Sequence, residues 1–588
     1  MRTHSSKATE VSEHTSSSDG TVVSAHDLAT RAGMAMYEIG GNAVDAAVAT
    51  ALVCGVIEPT ETTLAGSGFM LIASDSIAPT EVDFGPKAPA AARPDMFELQ
   101  TEEGDLPSVL GLAPVVDNAN VDGPLAAGVP RTLYALLTAQ EQFGRLTAHD
   151  VLTPAIAAAR DGFPVDAWFL TSALSDLERL RSDPTARGIF LDEQGLPKGA
   201  VGSAGYGPTF GEYERIHQEL LASTLEHVAE HGRESLTHGA IADALVQSST
   251  ELGGILARED LESSAPYIGP ARLLKYRNAT LAASHAPSGA LTTLESLAIY
   301  QQAVDDPRDV SDDERLRRLA LSLRHAFADR YYWLGDTDFS NPPVDELLSN
   351  SYAQAIADEV ATGRDIPRWE ENAPWITYAD FPVHDPRHIV HGQPTEAPWS
   401  PTAASTPTSG TTHVSAADAD GMVVAITHTA ANHFGSGIVC PRTGLLFDSS
   451  MAWFNAAQGS ANSIRGGGRA LANMGPVLAL HDDGRKSAIG ASGGRRIISA
   501  VAQLAIELID NGATAGEAIA RPRIDASAQQ LALPEALEAT TAVLADLNPT
   551  TVYHANDPYP MDFSRPNIAR YLGNGATESA IASAHFTA

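Results

Sequence analysis

The sequence is poor in cysteine, in lysine and in long apolar runs. Its two cysteines in 588 residues, Cys54 and Cys440, form no CxxC pair, which excludes a disulfide-stapled scaffold and a thiolate metal centre as organising principles. Two packed thiols of a reducing compartment are the default expectation, with a single disulfide left open. Basic residues number 38 against 73 acidic, only five of the 38 are lysine, and the formal charge is −35. A field of that sign repels phosphate and argues against nucleic acid and anionic membrane as partners. No apolar run reaches membrane-spanning length. The opening MRTHSSKATEVSEHTSSSDG lacks the apolar core of a signal peptide, so a cytoplasmic location is expected. Nineteen histidines occur without HExxH or a Cys/His cluster, and neither a metal nor a cofactor is expected.

What is present is a large core: 44% of residues are hydrophobic and 19% charged, the balance of a globular enzyme-sized chain. Residues 1–20 read as a disordered tail. The stretch AHDLATRAGMAMYEIGGNAVDAAVATALVCGVIEP reads as two helices, the first closed by Gly40 and Gly41, the second opened by Asn42 with Asp45 three positions on. FMLIAS reads as a strand, and helical periodicity dominates from about 130 to 380. Residues 391–410, HGQPTEAPWSPTAASTPTSG, are rich in Pro, Thr and Ser and read as a linker. Strands are expected around DADG, TGLLFD and GPVLALHDDGRKSAIG, then a long helix RRIISAVAQLAIELIDNG. The fold class this predicts is α+β with a mostly antiparallel sheet.

The linker runs into SGTTHVSAADADGMVVAITHTAANHFGSG, where a buried-looking strand opens on a cluster of hydroxyls. A three-residue loop with Gly421 in its left-handed position sets Asp418 opposite Met422. That register carries Thr411 to Thr429, two hydroxyls at one strand end. A second candidate nucleophile is Ser492, in GASGG with a strand before it and a helix after it, where a nucleophile elbow would use Asp525 or Asp546 and His554. The same residues allow another role: the N–H groups of Gly493 and Gly494 at a helix N-terminus form an oxyanion hole. On local pattern alone both readings stay open.

Taken in order, GGNAVDAAVATALVCGVIEP, GSGFMLI, HAFADRYYWLGDTDF, TTHVSAADADG, FGSGIV and GGRRII resemble the γ-glutamyltransferase (glutathione hydrolase) family, over about residues 21–535. The resemblance implies a four-layer αββα sandwich of N-terminal-nucleophile hydrolases. It implies a precursor that cuts itself between Gly410 and Thr411 into a large subunit, with 21–390 as its part of the domain and 391–410 as the linker before the cut, and a small subunit, 411–588, of the same domain. It implies Thr411 as nucleophile, Thr429 as its hydrogen-bond support, and Gly493 and Gly494 as oxyanion hole. The partners are then a small-molecule amide substrate and a water or amine acceptor. The chemistry is coherent, since a threonine hydroxyl needs a base and the freed α-amine, with a pKa near 7.7–8.0, supplies one.

The γ-glutamyl clasp of that family is largely missing. Gly85 stands in place of its arginine, Ala431 in place of an asparagine, Ser450 and Trp453 in place of the glutamine and aspartate, and Ala472 and Asn473 in place of two serines. A glutamate zwitterion needs both charges met in its pocket, so a divergent member acting on another acyl group is expected. Arg495, Asn432, His433 and Lys87 are the candidate replacements. The alternatives are a true γ-glutamyltransferase, a serine hydrolase centred on Ser492, and an inactive scaffold that binds without turnover.

Overall fold

Asn42 separates two helices as its residue type predicts. The computed structural model describes residues 11–14, 19–100, 114–200, 214–363, 385–392, 410–528, 530–552 and 564–582. In it α1 spans Asp27–Glu38 and α2 spans Ala43–Ile57. The Asn42 side chain accepts the Val44 and Asp45 N–H groups while the Asp45 carboxylate accepts the Asn42 N–H, a reciprocal cap. α2 is built from Ala, Val and Leu on every face and is buried nearly throughout. A helix apolar all round has to lie inside. It sits between a sheet and the helices Thr132–Phe143 and Ala148–Arg160.

Two antiparallel sheets carry the core. Their strands are β1 (Val11–His14), β2 (Gly20–Val23), β3 (Ser67–Ala73), β4 (Thr80–Phe84), β5 (Tyr267–Pro270), β6 (Arg272–Tyr276), β7 (Ala279–Ala283), β8 (Thr412–Asp418), β9 (Val423–Thr429), β10 (Val477–His481), β11 (Lys486–Ser492), β12 (Arg565–Gly573) and β13 (Ala576–Ala582). The first sheet has the order β2-β8-β9-β3-β4-β5, the second β1-β13-β12-β11-β10-β7-β6. Leu71, Val423 and Ala425 of the first meet Leu478, Ala488 and Ala569 of the second in a thin apolar seam. Small side chains there let the sheets approach closely. α2 covers the outer face of the first sheet. α4 (Ala290–Ala303) and α6 (Arg496–Ile509) cover that of the second. The order of layers is αββα. α3 (Ala167–Ser175) and α5 (Asp312–Trp333) supply side chains at the rim of the sandwich.

The hairpin register is the expected one. Thr412 pairs with His428 and Ala417 with Val423, the Asp418 N–H reaches the Met422 carbonyl at 3.0 Å, and Gly421 turns with φ 86°. Three expectations need correction. Part of the stretch read as a disordered tail, Val11–His14, is a strand on the edge of β13, because β13 offers it an open ladder. TGLLFD contributes only isolated bridges, Val439 with Leu446 and Ala65 with Phe447. Strands β5–β7 interrupt the region read as helical; their alternating β7 sequence, ATLAA, is too short and too alanine-rich to distinguish from a helix by period. Most of the linker, 393–409, lies outside the described residues. Both thiols are buried and unpaired.

Candidate active site

Alternation along β8 and β9 sends Thr411, His413, Thr427 and Thr429 into the space between the sheets, while Val414, Ala416 and Ile426 go to the α2 side. At the open end of the ladder the chain runs unbroken through Gly410 and Thr411, so the geometry is that of the uncut chain. The Thr411 hydroxyl lies 2.7 Å from the Gly410 carbonyl oxygen and 3.2 Å from the Thr429 hydroxyl. The Thr429 hydroxyl donates to that same Gly410 carbonyl oxygen and accepts the Ala431 N–H at 2.8 Å. Gly410 has no room for a side chain, since an added Cβ would overlap the Thr60 carbonyl and the Glu61 backbone.

Glu61 is the residue that sequence reasoning missed. Its carboxylate accepts the Thr411 N–H at 2.9 Å, across 350 positions of chain, and takes the Trp168 indole N–H of α3 at 2.8 Å. Burial raises its pKa, opposed by His433, Arg565 and the Thr411 N–H. A TETT tetrapeptide in a loop carries no signal of this. The histidine of the TTH motif is no base: burial pushes His413 down to about 3, with Nδ1 at 2.8 Å from Thr427 and Nε2 at 2.9 Å from Ser415. His428 is held equally low by burial.

The second sheet runs its glycines to the same place. Lys486, at the start of β11, lies beside Gly421 at the hairpin tip, and Gly490 lies flat against the His413 ring, so Ser492, Gly493 and Gly494 continue toward Thr411. Gly493 and Gly494 take φ of 124° and 63°, conformations that a side chain would strain, and α6 begins at Arg496. Among the described residues no acceptor meets their N–H groups. Among the described residues no triad forms around Ser492. β11 is antiparallel to both neighbours rather than part of a βαβ series, Asp525 is bonded to Ser499 and Ser527, and Asp546 pairs with Arg317. His554 lies outside the described residues.

The candidate substrate residues divide. Lys87 is tied to Ser263 through its ammonium. Beside Gly85 a guanidinium is present after all, that of Arg131, but its donors go to the carbonyls of Gly85, Asp83, Ser264 and Ala265; it is a strut. The Ser450 hydroxyl is bonded to Asp448, a carboxyl that burial raises to about 6. Trp453 packs with Ala431 and Phe454, and its indole N–H has no partner among the described residues. Ala431 holds the left-handed φ of 71°. His433 stands edge-on to Trp168 and 3.7 Å from Asp176. Asn432 is buried and its side chain makes no hydrogen bond among the described residues. Asn473 accepts from Arg330 at 2.9 Å, and Arg495 is buried beside the glycine pair.

An uncut glycine–threonine bond with a hydroxyl partner, between two stacked sheets, can be compared with known proteins. Residues 29–563 match the family described as Gamma-glutamyltranspeptidase. The chain belongs to that family. It is 29% identical over 584 residues to the "Glutathione hydrolase proenzyme" of Escherichia coli (strain K12), covering 92% of this chain and 91% of that one. It is 27% identical over 526 residues to the "Acylase ACY 1 proenzyme" of Pseudomonas sp. (strain V22), covering 89% and 86%. In fold it is similar to the cephalosporin acylase of Bacillus halodurans, with a TM-score of 0.76 at 20% identity over 99% of this chain and 96% of that one. As a family member it is an enzyme of the N-terminal-nucleophile, amide-hydrolysing and acyl-transferring kind. No helix among the described residues is long and apolar enough to cross a membrane.

Proposed function

We propose that this γ-glutamyltransferase-family enzyme cuts itself between Gly410 and Thr411 and then uses Thr411 as the nucleophile on an amide whose acyl group is not γ-glutamyl. The observation that carries the reading is the convergence of Thr411, Thr429 and Glu61 on one peptide bond. In processing, the Thr411 hydroxyl adds to the Gly410 carbonyl carbon while Thr429 donates to the carbonyl oxygen. The C–N bond breaks, the nitrogen gains a proton, and water hydrolyses the resulting ester to leave a free α-amine and a Gly410 carboxylate. Positive charge developing on that nitrogen meets the Glu61 carboxylate. In turnover the α-amine takes the Thr411 hydroxyl proton, the substrate carbonyl carbon is attacked, Gly493 and Gly494 hold the oxyanion, and the amine leaves. Water or an acceptor amine then releases the acyl group.

The missing clasp supports a different acyl group. Gly85, Ala431, Ser450 and Trp453 offer no free charge to a zwitterion, and Arg131 and Asp448, which lie there, are occupied. Charge-assisted contacts are worth about 1.5–3 kcal/mol each, so glutathione is expected to be a poor substrate. Intact-mass analysis tests the core of the reading. The expected result is a 410-residue and a 178-residue piece of the 588, the smaller beginning Thr-Thr-His, with Thr411→Ala uncut and inactive and Ser492→Ala cut and active. An uncut wild-type chain with full amidase activity would overturn it.

A further inference from the structure

Two buried carboxyls and one guanidinium lie around the nitrogen that self-cleavage would free. Glu61 is 4% exposed and accepts the Thr411 N–H at 2.9 Å. Glu58, three positions earlier, is 8% exposed, and its Oε2 has no hydrogen-bond partner among the described residues. Arg565 opens β12 opposite Ser492, the last residue of β11, and Ser564 before it lies against Gly493. The Arg565 guanidinium carbon stands 5.1 Å from the centre of the Trp168 ring. The Trp168 N–H reaches Thr60 Oγ1 at 3.1 Å and Glu61 Oε1 at 2.8 Å. A cation over an indole face is attracted by the ring quadrupole, so each group holds the other in place. Burial raises the pKa of both glutamates, and Arg565 opposes the rise in each. His433 also acts on Glu61, but it stands 3.7 Å from a carboxylate of its own, that of Asp176. Arg565 lies beyond residues 29–563, the stretch matched to the family.

We infer that Arg565 is a positioning residue for the base of the cut enzyme: through Trp168 it holds Glu61 on the Thr411 nitrogen, and its charge offsets the glutamates so that the freed α-amine stands unprotonated. The inference rests on the cut before Thr411 and on Thr411 as nucleophile. An α-amine has a reference pKa near 7.7–8.0. Carboxylates beside it with no cation among them would favour the ammonium form and push that value up. An ammonium has no lone pair for the hydroxyl proton, so the nucleophile would lose its base. Arg565 removes part of that bias, while Glu61 keeps an oxygen on the nitrogen and so orients it. The planar guanidinium suits the indole face, which a lysine ammonium would cover less well. The charged and titratable groups around the nitrogen and the two glutamates come from several elements. They are Cys54 of α2, Glu58 and Glu61 themselves, Asp166 before α3, His433 with Asp176, and Arg565 of β12.

The test follows acylation of Thr411 against pH in the purified enzyme, after its state of cleavage is read by mass. The probe is 4-nitrophenyl acetate. Its carbonyl carbon bonds to the Thr411 Oγ, the hydroxyl proton passes to the α-amine, and 4-nitrophenolate leaves. Release of the phenolate gives the rate, and peptide mass places the acetyl group on the segment beginning Thr-Thr-His. The wild-type rate should rise with pH to a plateau. Arg565→Met should move the midpoint of that rise up by roughly half to one unit, a roughly three- to tenfold loss on the acid side that shrinks as pH increases. Arg565→Gln, planar and uncharged, should show the same displacement, so the reading does not hang on one variant's folding. Arg565→Lys should recover most of it. Glu61→Gln, once cut, should move the midpoint the opposite way. The displacement should persist in a His433→Gln background; its loss there would assign it to the imidazole and overturn the inference. An unmoved midpoint in Arg565→Met and Arg565→Gln, whatever their plateau rates, overturns the inference and leaves the nucleophile standing. A wild-type chain that stays uncut, or is cut and takes no acetyl group at Thr411, refutes the nucleophile and the inference with it.

Discussion

Glu61 is placed to act on a bond it does not form. Its carboxylate sits 2.9 Å from the Thr411 nitrogen, where an unpaired charge would be costly and a developing ammonium is welcome. Glu61→Gln keeps the shape and removes the charge, and is expected to slow self-cleavage by roughly ten- to a hundredfold, read as the fraction of uncut chain against time. Burial raises the Glu61 pKa, so the wild-type carboxyl protonates as pH falls through a value above the ordinary carboxylate range, and cleavage should slow with it. The groups facing it are His433, Arg565, Trp168 and Glu58. The Gln variant should show a flatter profile below neutrality. Cleavage at the wild-type rate in Glu61→Gln would remove Glu61 from the mechanism.

At the scale of elements, the end of β11 is the part most exposed to small changes. Strand and helix join through two glycines in succession, and an added Cβ on Gly493 would stand 2.8 Å from the Ser564 Cα, besides meeting a φ of 124°. Gly493→Ala is expected to cost at least about 1–2 kcal/mol of stability, seen in chemical denaturation. It should also lower turnover more than a change of equal stability cost placed far from the site, because it rotates the N–H proposed to hold the oxyanion. Turnover that follows stability alone would deny the glycine pair its role. Ala431 illustrates the opposite case, a left-handed residue that keeps its Cβ while its N–H supports Thr429.

For the whole molecule, the proposed cut falls inside one fold. In the first sheet β8 and β9 lie between β2 and β3; in the second, β10–β13 lie between β1 and β7. The two products would therefore share both ladders and the seam between them. They are expected to co-elute under native conditions, to melt in one transition, and to separate only in denaturant. Separation of the pieces in native buffer would exclude this arrangement. The excess of 73 acidic over 38 basic residues repels itself across both pieces, so the melting temperature should rise with salt over the range where screening acts.

What the sequence determined alone is what depends on near neighbours along the chain. The Asn42 cap, the Gly421 turn and the register that pairs Thr411 with Thr429 all follow from spacings of a few residues, and the ordered motifs carried the family. What only the tertiary structure decided depends on segments far apart: Glu61 at the Thr411 nitrogen, Arg131 beneath Gly85, and β12 and β13 closing a sheet that β1 extends. Short-range geometry is imposed by φ, ψ and local hydrogen bonds, which the residue types bias directly. Long-range convergence is imposed by packing two sheets and their helices into one volume, and a carboxylate in a TETT loop carries no mark of which nitrogen that packing will bring to it.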